Sequence, residues 1–149
     1  MHSITATLSL AAMLIWPLAA SAATAPHTPN EWELREECSA AGSQVDMRDC
    51  LQQKVRESEK ALKDAQATAL RAIAGWDEDA KFTRATKEHL AAAGQAFARY
   101  RETECAFAAS LGGGAIGAAL NLRRFACTAA LNQKRAQDLS RSVSGLPQR

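Results

Sequence analysis

Four cysteines, Cys38, Cys50, Cys105 and Cys127, constrain this 149-residue chain more than any other feature. All four lie downstream of an apolar N-terminus. Residues Ile4 to Ala20 carry no charge, and Ala20-Ser21-Ala22 supplies the small side chains that a signal peptidase reads. A signal peptide is therefore expected over residues 1–22, cleaved after Ala22 or, as the alternative, after Ala23. The apolar run is near the short limit for crossing a bilayer and is interrupted by Pro17, which argues against an uncleaved anchor. The mature protein is expected in the periplasm or secreted, without a stable membrane anchor. Thiols oxidise there, and an even cysteine count reads as two disulfides. A zinc site would instead show short clusters of Cys and His. The spacings here are 12, 55 and 22 residues, with no CxxC pair, so no metal and no cofactor is expected.

Cleavage removes no Lys, Arg, Asp or Glu, so the net charge stays at +2 with His neutral. With 18 basic and 16 acidic residues the chain has no strong field, and nothing calls for a nucleic acid or an anionic membrane as partner. Hydrophobic residues make up 47% of the chain but aromatic ones only 5%. An alanine-rich, aromatic-poor composition suits close-packed helices better than sheets.

Periodicity places three long helices. From Gln44 to about Ala74 there is neither Pro nor Gly. Met47, Leu51, Val55, Ser58, Leu62, Ala65, Ala69 and Ile73 recur there in steps of four and three, an amphipathic stripe. Gly75-Trp76 ends that helix, and the acids Asp77-Glu78-Asp79 suit the start of the next. This second helix is expected from about Glu78 to about Ala109, with Phe82, Leu90, Ala93, Phe97, Tyr100, Glu104 and Phe107 near one stripe. Gly112-Gly113-Gly114 breaks it. A third helix follows from near Ile116 through Phe125, Leu131 and Leu139 and frays before Gly145 and Pro147.

These elements give an all-α fold, an antiparallel helical hairpin plus a third helix in a small disulfide-stapled bundle. Residues 23–37 are expected as a flexible leader, 38–141 as the helical domain and 142–149 as a disordered tail. Cys50 and Cys105 are about equally far from the turn near Asp77, so all four thiols gather at one end. The other end is left to packing around Ile73, Trp76 and Phe82. Local pairing, Cys38 with Cys50 and Cys105 with Cys127, is preferred. The pairing of Cys50 with Cys105 is geometrically reasonable as well.

Three short blocks of the chain form a recognisable pattern. Gln44, Met47 and Cys50 match a QxxMxxC opening. The stretch from Gln95 to Cys105 is similar to a second block that ends WxxYRxxEC, with Phe97 at the Trp position. Gly112-Gly113-Gly114, then Cys127, Leu131, Arg135 and Leu139, resemble a closing Gly-rich loop and CxxxLTxxRxxxL, with Asn132 at the Thr position. In this order the blocks resemble the lysozyme inhibitor LprI-like N-terminal domain family, over residues 38–139. Between the first two blocks the family pattern ADxxLNxxY is altered: Leu62 is kept, but Lys63 stands at the Asn position and Gln66 at the Tyr position. The resemblance implies an exported binding protein that inhibits lysozyme. The alternative is a structural or interaction module of the periplasm with a non-lysozyme protein partner.

Arg101 and Glu104 lie three apart on one helical face and form a candidate partner-binding patch. The competing expectation ties Arg101 to an acid on another helix and Glu104 to Arg135 or solvent. Gln95, Phe97 and Tyr100 read as an interhelical packing set. Gly112, Gly113 and Gly114 form the second candidate, a loop held near a disulfide that could enter a partner's cleft or serve only as a connection. His89 has no ligand-type neighbour one turn away. No nucleophile, phosphate-loop or metalloprotease motif is present, and an enzyme is not expected.

Overall fold

Ser43 starts the longest helix. Its hydroxyl accepts from the Asp46 N–H at 3.1 Å, which satisfies one of the donors that a helix start leaves open. The helix then runs without a breaker from Gln44 to Gly75. In the computed structural model, which describes residues 27–114 and 117–149, this is α2. Before it comes α1 (Glu31–Ser39), and after it α3 (Ala80–Ser110) and α4 (Ala118–Val143). The expected signal peptide and residues 23–26 lie outside the described residues. Among the described residues the fold is all-α, and no helix is long and apolar enough to cross a membrane.

Helix α1 takes in residues 31–37, which were expected to belong to a flexible leader. Asn30 and Glu33 form a capping box: the Asn30 side chain accepts from the Glu33 N–H at 3.1 Å, and Glu33 Oε2 accepts from the Asn30 N–H at 2.7 Å. Leu34 and Cys38, one turn apart, are 1% and 0% exposed and pack with Leu51 of α2 and Leu122, Ala126 and Ala129 of α4. An isolated helix of nine residues would not hold, so α1 persists through this burial and its bond to Cys50. Lys54 Nζ also reaches Glu37 across the seam at 2.6 Å.

The hydrogen bond from the Asn30 N–H holds the Glu33 carboxyl below its ordinary pKa of 4.5, with His27 Nε2, 3.0 Å away, adding to the effect. A depressed carboxyl contributes stability above its unfolded value and loses it as pH falls through the lower folded value. The cap should therefore stay intact at pH 5 and open as pH drops below about 4.5. The amide shifts of Asn30 and Glu33, followed by NMR on acidification, check this.

Helix α4 is the axis of the bundle. Ala126 and Ala129 are fully buried, and Ala136 nearly so. Small side chains there let α2 approach closely along the whole length of α4. Leu51 meets the Leu122–Ala129 stretch, and Leu62 and Ala65 meet Ala136 and Leu139, so α2 and α4 run parallel. Helix α3 also packs on α4 but touches α2 only slightly, with Gly94 close to Gln66. The hairpin of neighbouring helices is therefore splayed, with α4 bridging its two arms.

Helix α3 departs furthest from expectation. Its buried residues are Cys105, Ala108 and Ala109, all near its C-terminus. Phe82, expected at the far-end core, is 47% exposed, although Ile73 is buried there. Gln95 and Tyr100 are exposed too, and only Phe97 of the expected packing set is half-buried. The start of α3 is Asp79, whose side chain makes no cap bond. The far end is instead closed by residues expected to form a disordered tail. Trp76 pairs with Gln148, the Asp77 N–H donates to the Pro147 carbonyl at 2.9 Å, and the Arg149 N–H donates to the Gly75 carbonyl at 3.0 Å.

Candidate functional site

Each residue turns a helix by about 100°, so the contacts of α4 divide its surface into sectors. Asn132, Ala136 and Leu139 meet α2, while Leu122, Ala126 and Ala129 pack in the cluster shared with α1 and the start of α2. Cys127, Leu131 and Arg135 meet α3. Between the α1 and α3 sectors the surface of α4 is only partly covered. It forms the floor of a groove of about 380 Å³.

Cys127, Ala130 and Leu131 make an apolar floor. Tyr100, Glu104 and Ala108 of α3 form one wall. The chain entering α1, Thr28 to Glu31, forms the other, pinned where Thr28 Oγ1 donates to Gln137 Oε1 at 2.6 Å. The Cys105–Cys127 bridge joins α3 to α4 at the base of the groove. On the opposite flank of the bundle Cys38 bonds to Cys50, at the same level, because Cys38 packs on Ala126. Local pairing is thus the arrangement present, and no cysteine is free.

The structure separates Arg101 from Glu104. Arg101 turns inward and its Nη1 donates to Asn132 Oδ1 at 2.6 Å. Asn132 is fully buried, and its Nδ2 donates to Ser58 Oγ at 3.2 Å, while Ser58 Oγ donates to the Val55 carbonyl at 2.8 Å. A guanidinium only donates, so the Asn132 oxygen must face it. The result is one directed chain of donors from α3 through α4 to α2. Phe97 lies within 6 Å of both Arg101 and Arg135. The partner of Arg101 is therefore an amide, not the acid expected, and its role is to dock α3. Asn132 carries that role, although the sequence marked it only as the residue at the Thr position of the closing block, a polar side chain on a face otherwise rich in Ala and Leu.

Glu104 stays at the groove, half-buried, beside Tyr100. The glycine loop lies one turn beyond Ala108. Ala115 and Ile116 fall outside the described residues. A Cβ on Gly112 would come within 2.5 Å of Leu120 Cδ2 and 3.2 Å of the Ala109 carbonyl oxygen, so this glycine lets the loop fold back on α4. Gly113 has φ +58°, where an L side chain is strained, while Gly114 faces open space at an ordinary φ. Gly113→Ala should therefore lower stability by about 1 kcal/mol, and Gly114→Ala by less than about 0.5 kcal/mol. Urea unfolding of the two variants checks the contrast.

The family model described as lysozyme inhibitor LprI matches residues 35–139, from the middle of α1 to near the end of α4. No curated protein and no solved structure matches the chain.

Proposed function

The chain belongs to the lysozyme inhibitor LprI family, and from that premise we propose that the mature protein acts in the cell envelope by binding lysozyme-type glycosidases and blocking them. The observation that carries this reading is the extent of the match, which includes both disulfides, the glycine loop and the helices that wall the groove. Export rests on the sequence of residues 1–22 and on the cysteines. Inhibition of this kind needs no chemistry from the inhibitor: a rigid body that sits across the substrate cleft excludes the glycan. Rigidity matters because a surface already ordered loses less entropy on binding. Two crosslinks and a central helix supply it.

One observation favours the alternative of a non-lysozyme partner. Lys63 and Gln66 replace the Asn and Tyr of the family pattern, and Lys63 is exposed on α2. If that surface carries the ancestral contact, the partner has changed. A turbidity assay separates the readings. Oxidised mature protein at micromolar concentration should slow the lysis of cell-wall suspensions by at least one lysozyme in a panel of several classes. Undiminished lysis by all of them, with recovery of another partner from a periplasmic extract, favours the alternative.

A further inference from the structure

Glu104 is the carboxylate of the groove that has no partner among the described residues. The other charged side chains lining the groove are engaged: Glu31 Oε1 lies 3.7 Å from Arg35 Nε, and Lys134 Nζ lies 3.5 Å from Asp138 Oδ2. Glu104 sits within an apolar strip. Residues 100, 104, 107 and 111 are spaced four, three and four apart, so they share one face of α3. Tyr100, Phe107 and Leu111 are 52%, 57% and 61% exposed. The strip runs about 16 Å along the helix at 1.5 Å per residue. Large apolar side chains repeated over successive turns of a solvent-facing helix mark an interaction surface.

A carboxylate beside an aromatic ring and flanked by apolar groups suits one kind of occupant. An arginine fits best, since its planar guanidinium can pair with the carboxylate and stack on the ring at once. We infer that the groove and strip receive a protein segment that presents a basic side chain between apolar ones. The cation meets Glu104 and Tyr100, and its apolar neighbours cover Phe107 and Leu111. A glycan strand fits less well. It would want several polar groups open for bonding, whereas Thr28 is already bonded to Gln137 and the strip beyond Ala108 is apolar. That the segment belongs to a lysozyme rests on the inhibitor reading; the chemistry of the strip does not.

The test is calorimetric titration of oxidised mature protein with each lysozyme of the panel, with helix content and both disulfides verified for every variant. Glu104→Gln should weaken binding about tenfold and Glu104→Lys about 100-fold, and Tyr100→Ala and Phe107→Ser about tenfold each. Glu102→Gln, two residues from both Tyr100 and Glu104 and paired with Arg124 on another face, should bind as wild type. The affinity of wild type should fall with added salt more steeply than that of Glu104→Gln. Wild-type affinity in Glu104→Lys and Tyr100→Ala overturns the inference. If the wild-type protein binds no lysozyme, the inhibitor reading fails and the strip is judged by a second probe, a short capped peptide of Leu, Arg and Trp, with backbone amide shifts as readout. Shifts at Tyr100, Glu104 and Phe107 that vanish in Glu104→Lys support the inference. No shift at millimolar peptide overturns it, as does a response of the same residues to an N-acetylglucosamine oligomer alone.

Discussion

Reducing both disulfides should lower the stability of the mature chain by about 6 kcal/mol and release α3 and α1 from the bundle. Each bridge closes a short loop, with sequence separations of 12 and 22 residues. Loop-closure entropy then assigns about 3 kcal/mol to each, with about 0.5 kcal/mol more for the longer. The structural consequences differ between them. Helix α3 buries residues only near its C-terminus and is held by the Cys105–Cys127 bridge and by Arg101. The double variant Cys105→Ser/Cys127→Ser should therefore lose amide protection along α3 while α2 and α4 stay protected. Cys38→Ser/Cys50→Ser should instead unwind α1, whose nine residues are too few to persist alone. Hydrogen exchange and urea unfolding of the two double variants measure both effects. Equal protection of α3 with and without its bridge would contradict the assignment.

Asn132→Leu should cost about 3 kcal/mol, the largest effect expected of a single substitution. Asn132 is fully buried and holds the Arg101 guanidinium on one side and Ser58 on the other. Hydrogen bonds to charged groups contribute about 1.5–3 kcal/mol, and a buried hydroxyl that loses a donor adds to the cost. Branched leucine must also fit where Ala129 and Ala136 keep α2 close. Arg101→Ala should cost less, about 2 kcal/mol, because it leaves one orphaned acceptor. The double variant should then fall short of the sum, with a coupling of about 1–2 kcal/mol. Additive losses in urea unfolding would show that the two side chains do not act as one unit.

Much of this fold was legible because α2 behaves as its periodicity demands. Of its stripe, Leu51, Ser58, Leu62, Ala65, Ala69 and Ile73 are buried. The family itself could be read from the spacing of Met47, Cys50, Tyr100, Cys105, Cys127 and Arg135. The pattern in α3 misled for a physical reason. A stripe of large residues reports the wish for a partner surface, not its presence. Helix α4 serves α3 through Cys127, Leu131, Asn132 and Arg135, while Tyr100 and Phe107 stay at the surface. A short turn at Asp77 made α2 and α3 look like natural partners. Ala126, Ala129 and Ala136 decided otherwise, since small side chains on α4 allow it to lie closest to α2. Helix α1 was legible in principle. Asn30 and Glu33 carry the spacing of a capping box, and Leu34 and Cys38 the spacing of a buried face, but Pro26 and Pro29 just upstream favour an extended chain and obscure that signal.

Within the candidate site, Glu104 was visible by its position in the second family block. Its neighbour Arg101 was visible too, but its inward turn depends on Asn132, thirty-one residues away. The groove arises from the angular division of α4 among three helices, which one-dimensional spacing does not encode.

On the function proposed above, the crosslinked bundle is itself the inhibitor. Lysis of a cell-wall suspension by a susceptible lysozyme, measured with the same mature protein before and after reduction of its disulfides, tests this most directly. Saturable inhibition by the oxidised protein, abolished by reduction and restored on reoxidation, is the expected result. Inhibition that survives with all four thiols reduced and α3 unfastened would contradict it.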